Sequence, residues 1–413
     1  MGVPRVGGGP MTSAVAQEIA VVVGKAACPK GFVSAGGACG IKAGGKPDLA
    51  LTLCPEGASA AGIFTTNLLR AAPVTISQAH LRASGGRARV VLINSGCANA
   101  ATGPDGEHRA QAMVDAAAAC AGCAREEVLI ASTGLIGSTL PVDKIAHGAP
   151  ALAERASSDG LMDFARAILT TDATTKTALA RVEHEGRSFL VSGVAKGAGM
   201  IHPNMATMLA MVLTDAAVEP EPLDAMLRIG ADRSFHRISV DGDTSTNDCV
   251  FALASGAAGE FPEALVREAM ARVMRALAIQ VVQDGEGARK LIHVRAHGAI
   301  DAAQALAVAQ TVASSLLVRT AVAGGDPNWG RIIAAIGRAD PRVDMVRLRV
   351  EAGGVVFYEH DAPTPDARAV LSRVVGGRDV VIDARLGLGD ASDEFFSCDL
   401  TQEYVRINSE YST

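Results

Sequence analysis

Aromatic residues are scarce in this chain: one Trp, three Tyr and ten Phe among 413 residues, 3% in all. Any core must therefore be assembled from Ala, Val, Leu, Ile and Met. Charge of one sign is lacking too, with 38 Lys and Arg set against 44 Asp and Glu for a formal net charge of −6. With no basic run and no aromatic stripe, the chain has no electrostatic footprint for nucleic acid. Long apolar runs are also missing. The first of note, IAVVV at 19–23, is five residues long and lies between Glu18 and Lys25. That excludes a membrane-spanning helix and supplies no signal-peptide core, so the expected compartment is the cytoplasm. The opening twelve residues, MGVPRVGGGPMT, are rich in Gly and Pro, which predicts disorder and leaves Met11 as an alternative start.

Several chemical motifs are absent as well. No GxxxxGK[ST] loop, GxGxxG turn, GxSxG elbow or HExxH pair occurs, which argues against P-loop, dinucleotide, serine-hydrolase and zincin chemistry. The acidic stretch SVDGDTSTND at 239–248 starts like a calcium loop with Asp241, Asp243 and Ser245, but Thr246 stands where the Gly is needed and Ala252 where the closing Glu is needed. Among eight scattered cysteines only Cys120 and Cys123 have CxxC spacing, and no second pair completes a metal site. They read as two small buried thiols on one helix face, and the scatter of the others suits a reducing compartment. Cys97, in NSGCANA, reads as a buried small residue in a strand-end turn.

What is present is a globular composition, 49% hydrophobic and 20% charged, in a chain long enough for two or more cores. Periodicity predicts helices at 105–123, 222–230 and 262–279, and a fourth at 302–322 that is long, nearly all apolar on one side and expected to pack on a sheet. Strands are predicted at 90–94, 128–132, 189–194, 208–216, 346–360 and 379–386, and the C-terminal EYVRINSEYST alternates as a docked strand would. Helices and strands mix along the whole length without internal repeat or linker, which predicts a layered α/β or α+β fold.

The centre of the chain carries the most pointed local signal, KGAGMIHPNMATML at 196–209. Gly197, Gly199, Pro203 and Asn204 crowd the approach to a strand that begins near Thr207. The plain reading is an inter-strand loop. A chemical reading is also open, because a threonine becomes a nucleophile when its own α-amine, titrating near neutrality, serves as base. An internal Thr gains that amine only if the preceding bond is cut, which its hydroxyl can do by attacking the carbonyl of Ala206 in an N→O acyl shift.

In these residues the chain resembles the ornithine acetyltransferases (glutamate N-acetyltransferases), whose precursor cleaves itself within Ala-Thr-Met-Leu, here Ala206-Thr207-Met208-Leu209. The likeness runs through KGF at 30–32, NSGCANAATG at 94–103, ASTGLIG at 131–137, TTD at 170–172, DGDTSTND at 241–248, QDGEGARK at 283–290, GGDPNWGRI at 324–332 and the closing tail. The order of these motifs carries the likeness more than any one of them. Departures are the run TTDATTKTA, which lacks the family's usual Pro, Cys39 in place of a small non-thiol residue, and Arg289 where Thr is common.

The resemblance implies an α+β, four-layer α/β/β/α sandwich, cut into an α chain of residues 1–206 and a β chain of 207–413. The two would interleave and pair as an α2β2 heterotetramer. It implies Thr207 as nucleophile, Thr133 and Gly134 as oxyanion hole, and Thr171, Lys196, Thr207, Glu286, Asn408 and Thr413 as substrate-binding residues. The implied reaction moves acetyl from N-acetylornithine to glutamate by a ping-pong route in arginine biosynthesis, without metal or organic cofactor. Acetyl-CoA is a second donor in some members, and the residues leave that open. Taken alone, Lys196 and Glu286 would read as solvated surface charges. Rival readings are a self-processed Thr amidohydrolase or aminopeptidase with water as acceptor, and a binding protein in which Thr207 is structural.

Overall fold

A computed structural model describes residues 19–202 and 208–410. The expectations for residues 1–12, for Ala206 and Thr207, and for Thr413 lie outside these residues. In chain order the strands are β1 (Val22–Val23), β2 (Val33–Gly37), β3 (Leu49–Phe64), β4 (Arg87–Cys97), β5 (Val128–Leu135), β6 (Lys176–His184), β7 (Arg187–Lys196), β8 (Leu209–Ala216), β9 (Ile238–Ser239) and β10 (Cys249–Gly259), followed by β11 (Leu291–Ala299), β12 (Arg349–Ala352), β13 (Val355–Glu359), β14 (Ala362–Pro363), β15 (Asp379–Arg385) and β16 (Ala391–Cys398). The helices are α1 (Ala72–Ala83), α2 (Gly103–Ala121), α3 (Val142–Glu154), α4 (Leu161–Ala167), α5 (Pro220–Asp232), α6 (Glu263–Gln283), α7 (Ala302–Ala313), α8 (Leu316–Gly324), α9 (Trp329–Gly337), α10 (Ala367–Val375) and α11 (Gln402–Glu410).

The strands form two sheets in a mixed α/β fold. The larger runs β1-β6-β7-β8-β10-β3-β4-β5, with β2 added on β3, and the smaller runs β14-β13-β12-β15-β11-β16-β9. Strands from both sides of the central loop therefore share the larger sheet. Both its faces are covered, which is why β8 and β10 read as continuous apolar runs rather than alternating ones. Ala210, Val212, Val250 and Ala252 pack towards α5 and α6, while Leu209, Met211, Leu213 and Phe251 join Phe164 of α4 on the opposite face. The smaller sheet buries Ile292, Val294, Ile382 and Phe395 against α7, α9 and α10. Its other face carries charge: His293 and Arg275 bind Glu394, and Arg295 and His297 bind Asp383.

Three local readings are corrected by tertiary context. The segment 302–322 is two helices that bend by 47°, because the Ser315 side chain accepts from the Val318 N–H and starts a new helix. The segment 346–360 is a hairpin: Gly353 and Gly354, with φ of +58° and +78°, form a two-residue turn between β12 and β13. The tail 402–410 is a helix, not a strand. Tyr404 and Ile407 are half-buried on one side of it, and Arg406 pairs with Glu403 and Glu410 at three- and four-residue spacing. The alternation of Val405 and Ile407 misled because Val405 is exposed.

Gly122, left-handed at φ +58°, ends α2 before Cys123, so the CxxC pair does not share a helix face and both thiols are half-buried rather than buried. All eight cysteines are free. Cys97 is buried, its thiol donating to the Ser138 carbonyl at 3.3 Å. Among the described residues no single helix is long and apolar enough to cross a membrane.

Candidate active site

Two strand ends of the larger sheet, the loop before β6, the turn after α6 and helix α11 converge on one cavity of about 210 Å³. Thr133 and Gly134 end β5, and Lys196 ends β7 opposite Leu209 of β8. Thr171 lies in the loop between α4 and β6, Glu286 in the turn after α6, and Asn408 on α11. All six side chains or backbones line the cavity. A wider, open cleft of about 580 Å³ runs past Arg82 and Glu221 and contains none of them.

Each position has a local cause. Gly134 sits at φ +131°, and a Cβ there would come within 2.3 Å of the Gly96 carbonyl carbon on the neighbouring strand. Only glycine lets β5 turn so close to β4. Thr133 is buried, and Lys196 Nζ donates to its hydroxyl at 3.4 Å. Glu286 is held by its N–H to the Ala198 carbonyl at 2.8 Å, with its carboxylate over Gly199, where a Cβ would lie 2.5 Å from Oε2. Asn408 Nδ2 donates to that same carboxylate oxygen at 2.8 Å, so the tail helix reaches the cavity.

Lys196 and Glu286 are buried, not solvated. Burial pushes the Lys196 ammonium down, while the nearby Asp172, Asp248 and Glu286 carboxylates oppose that and Lys176 adds to it. Burial would likewise raise Asp172, but the charges of Lys196 and Lys176 outweigh it and hold this carboxylate well below its usual range. The cavity thus has a cationic wall at Lys196 and an acidic one at Glu286, Asp241 and Asp243. Such a pair of poles suits a small zwitterionic ligand.

Residues without an assigned part in the sequence reading also contribute. Asn247 Nδ2 donates to the Ala98 and Ser132 carbonyls at 2.6 and 2.8 Å, tying the DGDTSTND loop to the ends of β4 and β5. Asp241 accepts from the Met200 and Ile201 N–H groups and fixes the far side of the KGAGMI segment. Met208, which follows Thr207 in sequence, donates its N–H to the buried Asp248 at 2.7 Å. Burial raises the Asp248 carboxyl well above its ordinary value. The signal for these residues was the DGDTSTND motif itself, noted for order but not for position. Ala206, Thr207 and Thr413 lie outside the described residues, so the structure leaves their part in this cavity unassigned. Among the described residues no group of three or more His, Cys, Asp and Glu side chains gathers as metal ligands do.

A mixed α/β protein with two sheets, whose strand ends gather hydroxyl and backbone donors around a buried Lys and Glu, defines a class of small-molecule site. Residues 33–413 match the sequence model of the ArgJ family, and the chain belongs to that family. An arginine biosynthesis bifunctional protein ArgJ of Nitratidesulfovibrio vulgaris is 46% identical over 390 residues, covering 93% of this chain and 99% of the relative. The protein of the same name from Thermosynechococcus vestitus is 43% identical over 414 residues, covering 95% and 99%. Among solved structures, an ornithine acetyltransferase of Mycobacterium tuberculosis complexed with ornithine is 39% identical, covering 45% of this chain and 98% of that one, with a TM-score of 0.41.

Proposed function

We propose that this protein transfers the acetyl group of N2-acetylornithine to glutamate through an acetyl-Thr207 intermediate, yielding ornithine and N-acetylglutamate for arginine synthesis. One observation carries the reading: Thr133, Gly134, Thr171, Lys196, Glu286 and Asn408, far apart in sequence, line one cavity. Family membership and the names of the relatives support it.

In this reading the Thr207 hydroxyl attacks the Ala206 carbonyl, the amide becomes an ester on the Thr207 oxygen, and water hydrolyses that ester, leaving the Ala206 carboxylate and a Thr207 with free α-amine and hydroxyl. That amine takes the hydroxyl proton as the oxygen attacks the acetamide carbonyl. Negative charge on the carbonyl oxygen is met by the Thr133 hydroxyl and the Gly134 N–H. The C–N bond then breaks, the proton leaves with the ornithine α-amine, and glutamate takes the acetyl group by the reverse steps. Lys196 receives the substrate carboxylate and Glu286, steadied by Asn408, receives the side-chain ammonium of ornithine. Thr171 and Thr413 complete the polar contacts. No metal or cofactor enters these steps. The four-layer α/β/β/α arrangement, the two associated chains and their α2β2 assembly belong to the same reading.

The test is acetyl exchange between N-acetylornithine and labelled glutamate, with and without acetyl-CoA. Exchange without acetyl-CoA supports the reading. Hydrolysis to acetate with no transfer would assign the site to an amidohydrolase instead.

A further inference from the structure

Beside the cavity lies a buried ion group that takes no part in the steps above. The side chains of Asp172 and Lys176 are fully buried and that of Asp284 is 10% exposed. Lys176 binds both carboxylates. Asp172 Oδ1 also accepts from the Gly197 N–H at 2.6 Å, and its Oδ2 accepts from the Thr170 N–H at 2.9 Å. Asp284 accepts from the Ala173 and Thr174 N–H groups at 3.0 and 3.1 Å. The group therefore fastens together three segments: the one that carries Thr171, the one that follows Lys196, and the one that leads to Glu286.

Two carboxylates and one ammonium leave this group one negative charge in excess, in a place where unbalanced charge is costly. Lys196 supplies the balance. Its Nζ lies 3.9 Å from Asp172 Oδ2, near enough for charge and too far for a hydrogen bond. Among the described residues its hydrogen-bond partner is the Thr133 hydroxyl at 3.4 Å.

We infer that Asp172 is a positioning residue: it supplies the counter-charge that keeps Lys196 cationic and in place to receive a carboxylate, without itself touching the ligand. The inference rests on the proposed acetyl transfer for its ligand and on the geometry for its mechanism. The groups facing Lys196 are Asp172, Lys176, Asp248 and Glu286, with Lys42 beyond them. Burial lowers Lys196, so its charge is lost as pH rises; Asp172 delays that loss and Lys176 advances it.

This gives two variants with opposite signs. Asp172→Asn removes the counter-charge and should move the alkaline limb of kcat/KM towards lower pH. The KM for N-acetylornithine should rise roughly tenfold or more at pH about 8, less at pH about 6, with a smaller change in kcat. Lys176→Met breaks the same ion group but removes a repulsion, so the alkaline limb should move to higher pH. If the group merely holds the fold, both variants lose activity in the same direction at every pH, and that result overturns the inference. Should Asp172→Asn fail to fold, the Lys176→Met limb decides: an upward shift supports the assignment, and a limb that stays or falls refutes it. Competitive dinitrophenylation of Lys196, read by peptide mass spectrometry without substrate, follows the same titration independently. Wild-type protein that exchanges no acetyl would refute the proposed reaction, while this labelling would still test the role of Asp172.

Discussion

Replacing Gly134 by alanine tests the geometry of the strand end and its chemistry together. The residue sits at φ +131°, and an ideal Cβ would meet the Gly96 carbonyl carbon at 2.3 Å, the Cys97 nitrogen at 2.5 Å and Gly96 Cα at 2.7 Å. All three are backbone atoms of β4, so no side chain can swing aside. Backbone strain costs about 1–3 kcal/mol and forced overpacking about 1–3 more, giving roughly 2–6 kcal/mol. Unfolding entropy of about 2.1 cal/mol/K per residue over 413 residues amounts to about 0.9 kcal/mol/K. Gly134→Ala should therefore lower Tm by about 2–7 °C. Gly137, three residues on, also has a left-handed φ of +78° but has nothing within 4 Å of its Cβ position. Gly137→Ala should cost about 1–2 kcal/mol, a shift of roughly 1–2 °C. Differential scanning calorimetry compares the two, and initial rates of acetyl exchange test the chemistry. Moving the Gly134 N–H off its line should cut turnover by about 10²–10³, whereas Gly137→Ala should keep wild-type turnover. A Gly134→Ala protein that melts with the wild type would refute the steric argument, and one with wild-type turnover would remove Gly134 from the oxyanion hole.

Thr133→Ala should reduce kcat by about 10²–10³ with little change in KM, because its hydroxyl acts on charge that exists only in the transition state; a raised KM at constant kcat would reassign it to ground-state binding. Thr207→Ala should stay one chain on a denaturing gel, and cleavage of that variant at the same bond would point to an external protease. Asn408→Ala should raise the KM for N-acetylornithine several-fold by freeing the Glu286 carboxylate, and unchanged kinetics would make α11 a surface helix only. Burial alone would raise the Glu394 carboxyl, but hydrogen bonds and charges from His293 and Arg275 hold it down to about 2. That stabilisation is present above the ordinary carboxylate pKa and is lost as pH falls towards about 2. Glu394→Gln should thus cost about 2–3 kcal/mol at pH 7 and almost nothing near pH 2, as read by denaturant titration.

The sequence by itself determined some of the elements and, through the family resemblance, the identity of the residues that meet. Apolar periodicity located α2, α5, α6, β4, β5, β7, β8 and β15 within a few residues, because the pattern that makes a helix or strand repeats over a handful of positions. The order of short motifs named Thr133, Gly134, Thr171, Lys196, Glu286 and Asn408 before any of them had a place. Where local pattern was ambiguous it failed. The tail alternates like a strand, yet it is a helix on which Tyr404 and Ile407 are half-buried, and the Asn408–Glu286 bond that supports this joins residues 122 apart in sequence. Burial was equally out of reach. Nothing in KGAGM says that Lys196 is enclosed, since its surroundings come from β5, β8 and the turn after α6. Asp172, read only as part of TTD, gains its meaning from Asp284, Lys176 and Lys196 meeting in one enclosed space. Periodicity is a property of neighbours along the chain and can be read there. The electrostatic environment of a charge depends on what the fold excludes water from, and only the assembled sheets and helices decide that.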